Sequence, residues 1–181
     1  MKPSTRHGTS PPLDEDKLNE LALRYVGRFA TTRAKLRSYL SRKLRERGWD
    51  GGREPDVTAI AERFAAQGYI DDSSYALSKA QSLTNRGYGK RRVVEALKAA
   101  GIDEEQGVEA RDHADAEAVA AALHFARRRR VGPFADSPAR DPREKEKALA
   151  AMIRAGHGFA LSRAILTLPP GSDVDPDQLR G

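Results

Sequence analysis

Apolar residues recur at three- and four-residue steps along most of the chain, the period of a helix that buries one face. Leu18, Leu21, Ala22, Tyr25, Val26 and Phe29 form one stripe, and Leu36, Leu40 and Leu44 a second. Val57, Ile60, Ala61 and Phe64 make a third, Ala76, Ala80 and Leu83 a fourth, and Val93, Leu97 and Ala100 a fifth. Val119, Ala122 and Ala126, then Ala148 and Met152, then Leu161, Ala164 and Ile165 continue the pattern. The segment after Asp103 is the least periodic and reads as helical mainly from its composition. Gly48, Gly68, Gly87, Gly101 and Gly156 each follow a stripe, where a left-handed C-terminal cap places glycine. Asp103 with Gln106, and Asp141-Pro142-Arg143-Glu144, carry the signals of helix starts.

Some of these stops recur at a fixed offset. Apolar-x3-apolar-x3-Gly occurs as Leu40, Leu44, Gly48, as Val93, Leu97, Gly101, and as Ala148, Met152, Gly156, with glycines 53 and 55 residues apart. Any helical protein could end helices this way, but three units of three helices are the more economical reading. The expected fold is all-α, with three tandem three-helix repeats in an elongated, curved array. Its parts are a flexible tail at 1–12, repeats at 13–68, 69–115 and 116–168 with a loop at 131–141, and a flexible tail at 169–181.

Composition agrees. Proline is absent from 13–54, 56–132 and 143–168, as helix interiors require, and the chain of 181 residues holds 28 alanines and 23 arginines. The absence of cysteine excludes disulfides and thiolate zinc sites. No window suggests a membrane span, and the polar Met1–Pro12 stretch lacks a signal-peptide core, so a cytoplasmic chain is expected.

Catalytic material is poor. His7, His113, His124 and His157 lie far apart and match no metal-ligand spacing. Gly87-Tyr88-Gly89-Lys90 lacks the spacing and the preceding strand of a phosphate loop. No enzyme activity, metal, cofactor or small-molecule substrate is expected. Charge is the stronger signal. The net charge is +6, but Arg24–Arg53 alone carries +8 and Lys79–Lys98 +5, whereas Asp103–Glu117 carries −6. Arg127 to Arg130 are four consecutive arginines. Arg37, Arg42, Arg45, Lys90, Arg91, Arg92, Arg127, Arg128, Arg129 and Arg130 are therefore the candidate electrostatic contacts with an anionic partner. Tyr39, Trp49, Tyr69 and Tyr88 lie in or beside basic blocks as possible base-stacking residues. Core packing is the favoured reading for Trp49 and Tyr69. Lys90, Arg91 and Arg92 open a helix, where positive charge opposes the dipole, unless Glu95 or an external anion compensates.

Two blocks carry a family resemblance. Gly68-Tyr69-Ile70-Asp71-Asp72-Ser73-Ser74-Tyr75-Ala76, then Gly87-Tyr88-Gly89-Lys90-Arg91-Arg92-Val93 and the Leu97…Gly101-Ile102 helix end, resemble the RecX family. Ile70 stands where leucine is usual, Lys90 where proline is common, and the 131–140 loop is longer than the pattern. Gly68, Tyr69, Asp71, Asp72, Tyr75, Gly87 and Gly89 belong to the motif and read as structural: an aspartate caps the following helix, Tyr69 plugs the core, and the glycines shape a turn. The resemblance implies three tandem three-helix repeats and a non-enzymatic regulator lodged in the groove of the RecA–DNA filament; a monomer is expected. It would touch RecA, and single-stranded DNA within the filament, and restrain filament growth, ATP hydrolysis, strand exchange and coprotease action. The alternative is a freestanding helical protein that binds single-stranded nucleic acid.

Overall fold

Every stripe becomes a helix. The structure, a computed structural model, describes residues 11–139 and 141–180. Residues 1–10 of the expected N-terminal tail, and position 140 of the expected loop, lie outside the described residues. The helices are α1 (Glu15–Val26), α2 (Arg33–Arg47), α3 (Val57–Ala66), α4 (Asp72–Asn85), α5 (Lys90–Ala99), α6 (Val108–Ala116), α7 (Ala118–Arg129), α8 (Pro142–Arg154) and α9 (Phe159–Thr167). The fold is all-α; among the described residues the only extended pairing is a bridge between Leu13 and Trp49. Gly48, Gly101 and Gly156 follow α2, α5 and α8, all at positive φ, so the recurring glycine stop has one backbone meaning at its three occurrences.

The chain divides into two compact units, Met1–Asp72 and Ser73–Gly181. In the first, Leu13, Leu18, Ala22, Leu36, Leu40, Ala61, Phe64 and Ile70 form the core of α1–α3. Asp14, Thr32 and Asp56 cap the three helices with side-chain oxygens. Trp49 packs against this core, and its indole N–H donates to the Arg53 carbonyl at 2.9 Å. The Asp72 carboxylate, nearly buried, accepts from the backbone N–H of Arg33 at 3.0 Å and from its Nε at 2.9 Å. Glu62 takes the same guanidinium at 2.8 Å. Within the first unit this carboxylate serves the first turn of α2, where a helix favours negative charge. Tyr69 is not a core plug. After the left-handed Gly68 the chain turns Ile70 inward, and Tyr69 is left 54% exposed with its ring tilted on Phe64 at 5.5 Å.

The second unit holds α4–α9 around two apolar clusters, one from Ala76 to Ala114 and one from Ala122 to Ile165. Tyr88 packs against both, which removes it from the candidate stacking residues. Asp103 accepts from the Gln106 N–H at 2.8 Å as expected, but the chain only turns there, and α6 starts after Gly107. The expected C-terminal tail folds back. Leu179 packs against the third cluster and the Gly171 N–H donates to the Pro133 carbonyl at 2.9 Å.

The unit is closed by an end-to-end junction of helices. α5 begins after Gly89, which has no side chain to cap it. Its free donors go instead to the end of α8: the Gly89 N–H reaches the Ala155 carbonyl at 2.9 Å and the Arg91 N–H the Gly156 carbonyl at 3.2 Å. A Cβ on Gly89 would stand 2.4 Å from the Gly156 oxygen, and one on Gly156 would stand 2.5 Å from the Arg92 nitrogen. Gly89→Ala is therefore expected to cost about 2–3 kcal/mol through overpacking against backbone. Gly52→Ala, outside any helix cap and with nothing within 4 Å, is expected to change stability by less than about 0.5 kcal/mol. Thermal unfolding of the two variants checks the contrast; equal melting points would disprove the interlock.

Candidate partner-binding surface

The junction sets the electrostatics of the α5 start. Lys90, Arg91 and Arg92 are all exposed at the positive end of the helix. The last carbonyls of α8, the negative end of that helix, meet them there and offset part of the repulsion. Lys90 reaches Asp115 at 2.5 Å and Arg92 reaches Glu95 at 3.2 Å. The acidic segment thus lends Asp115 to the basic one. Arg91 alone of the three has no side-chain partner among the described residues, although its backbone is fixed by the junction.

The other candidate cations divide in the same way. On α2, Arg42 lies 3.7 Å from Glu46 and 5.7 Å from the Tyr39 ring, whereas Arg37 and Arg45 have no ion pair among the described residues. Lys43 approaches Glu46 to 2.6 Å, and that bond, with Arg42 and Arg45 nearby, holds the Glu46 carboxyl below its ordinary pKa. The four consecutive arginines are all employed within the fold. Arg127 lies over Phe134 at 4.8 Å, Arg129 over Phe125 at 5.7 Å, and Arg128 donates to the Arg86 carbonyl at 3.0 Å. Arg130 adopts the left-handed cap of α7 with φ 52°, 3.8 Å from Asp136. The surface therefore distinguishes Arg91, Arg37 and Arg45, which have no ion pair or ring contact among the described residues, from the exposed arginines at the end of α7, which rest on rings, a carbonyl or Asp136. Helical phase could not show the junction, since Gly89 and Gly156 lie far apart in sequence; the uncapped helix start at Gly89 was its one legible sign.

No family-wide sequence model matches the chain. Individual relatives do. A regulatory protein RecX of Myxococcus xanthus is 32% identical over 162 residues, 84% of this chain and 86% of that protein. The chain belongs to the RecX family of regulatory proteins. A RecX of Thermus thermophilus is 30% identical over 80% of the chain and 84% of its own length. The crystal structure of RecX from Lactobacillus salivarius shares the fold, with TM-score 0.60 and 19% identity over 83% of this chain and 92% of that one. A second RecX crystal structure aligns at TM-score 0.58 and 22% identity, covering 83% of this chain and 70% of that one.

The residues that carry the RecX resemblance sit at backbone-critical places. Gly68 reverses the chain after α3, Asp72 holds Arg33, and Tyr75 packs against the second cluster. Asp71 directly precedes α4. Gly87 is left-handed, and a Cβ there would meet His124 and the Phe125 backbone at 3.0 and 3.1 Å. No group of histidine and acidic side chains among the described residues could hold a metal, and no helix among them is long and apolar enough to cross a membrane.

His157, only 2% exposed, lies behind the junction. Its Nε2 donates to the Gly87 carbonyl at 3.1 Å, and its ring meets Phe125 edge-on at 5.5 Å. Burial pushes its pKa below the ordinary histidine value, only partly opposed by the bond to Gly87. Above the ordinary value near 6.5 both folded and unfolded chains hold it neutral, and its linkage contribution is constant. As pH falls through that value the unfolded chain takes up the proton first, so stability declines toward the lower folded pKa. Denaturant unfolding from pH 7.5 to 5 should show this loss, and His157→Gln should flatten the difference relative to the parent; an unchanged pH slope in the variant would contradict it.

Proposed function

We propose that this RecX protein regulates RecA by binding the RecA–DNA filament, restraining filament growth, ATP hydrolysis, strand exchange and coprotease activity without catalysing a reaction itself. It acts as a cytoplasmic monomer and contacts the filament, including single-stranded DNA within it, mainly through helix-borne cations. Membership of the RecX family supports the regulatory role. The observation that carries the contact is Arg91, whose charge is unpaired among the described residues while its backbone is locked by a bond to the Gly156 carbonyl. The junction fixes where the Arg91 side chain leaves the backbone, and an unpaired guanidinium there gives up no internal ion pair when it meets an external anion. Arg37 and Arg45 supply further unpaired charge on α2. Lys90, Arg92 and Arg42 contribute less, because each already has an acidic neighbour. Arg127, Arg128, Arg129 and Arg130 mainly hold the end of α7 and its loop.

The RecA ATPase on single-stranded DNA, with and without this protein, tests the reading. Inhibition is expected. Arg91→Glu should leave the melting point nearly unchanged, as exposed substitutions do, yet weaken inhibition tenfold or more, about 1.4 kcal/mol. Unaltered ATPase with the parent protein would refute the regulatory reading. Full inhibition by Arg91→Glu would refute only the place of contact.

A further inference from the structure

The first unit carries an aromatic ladder that the α5 surface does not use. Tyr25 in the last turn of α1 stacks on Tyr39 of α2, with ring centroids 4.3 Å apart and planes 15° from parallel. Phe29, just beyond α1, continues the row at 5.7 Å from Tyr25, with a 53° tilt. The two tyrosines rest against the core of the unit, but Phe29 is 56% exposed. Cations flank both ends: Arg28 lies 6.0 Å from the Phe29 ring, and Arg42 and Lys43 lie 5.7 and 6.0 Å from Tyr39. The surrounding segment Arg24–Arg53 carries ten basic residues against Glu46 and Asp50.

An exposed phenylalanine on a turn adds nothing to the core, and surface cations alone do not require an aromatic step. The combination matches a strand of stacked bases bearing phosphates, in which rings receive bases and cations track the backbone. An acidic peptide would satisfy the cations and leave Phe29 idle. A bilayer would need a broader apolar face than one ring. We propose that Phe29 is a base-stacking step for single-stranded nucleic acid, with Arg28 beside it meeting a neighbouring phosphate and Arg42 and Lys43, both paired with Glu46, contributing less. The site rests on the geometry of the first unit and is independent of the filament reading.

The test compares a labelled oligo-dT with an abasic strand of equal length and charge, using fluorescence anisotropy, the full chain and no RecA. The intact strand should bind at least fivefold tighter. Phe29→Leu, which keeps an apolar side chain but removes the ring, should lower oligo-dT affinity to the abasic level and leave abasic binding unchanged. Phe29→Tyr should retain the preference. Equal binding of the two strands by the parent chain, or an undiminished preference in Phe29→Leu, would overturn the proposal. So would poly-glutamate competing as well as oligo-dT, which would identify the surface as one for acidic proteins. Because RecA is absent, failure here leaves the filament reading untouched, and the reverse also holds.

Discussion

The meeting of two helix ends at Gly89 and Gly156 is the contact on which the second unit turns. The donors at the start of α5 and the acceptors at the end of α8 are both orphans in isolated helices, and here they satisfy each other. The distance at which this works leaves no room for a Cβ on either side. Tyr88 and His157 fill the space around the contact, one packing against both apolar clusters and the other bonding Gly87 from behind. Glycine is required there for proximity as well as for conformation, and Gly156 supplies both.

That contact also explains how three cations can open a helix. Their placement opposes the dipole of α5, but the negative end of α8 lies in the same place, and Asp115 and Glu95 neutralise two of the three. Arg91 remains. The arginine-rich end of α7 has the denser charge and the weaker claim to a partner, since its guanidinium groups are spread over rings and carbonyls that shape the following loop. Charge density in a sequence and free charge on a surface are different quantities, and only side-chain partners separate them.

The sequence showed what local periodicity can show. The apolar stripes became helices, the Asp141-Pro142 start was capped by Asp141 as its chemistry requires, and the recurring glycine stops were left-handed. The RecX motif was legible because its residues are contiguous. What escaped was set by contacts distant in sequence. One aspartate of the 71–72 pair is expected to cap α4, but no local pattern shows that the Asp72 carboxylate is held by Arg33, thirty-nine residues earlier. Tyr69 is expected to plug the core, but the left-handed Gly68 gives the inward position to Ile70. The segment after Leu168 lacks helical period, so its packing through Leu179 had no local sign. Phe29 fell in phase with the α1 stripe, yet the helix stops at Val26 and leaves it outside.

A regulator of the proposed kind recognises the assembled filament more strongly than either component. Co-sedimentation at physiological salt measures this directly, comparing RecA–DNA filaments, naked single-stranded DNA and RecA alone at equal concentrations. The account predicts binding to filament at least tenfold tighter than to naked DNA, with the residual DNA binding weak and strongly salt-dependent. Equal affinity for filament and naked DNA would contradict it and leave a freestanding nucleic-acid-binding protein in its place.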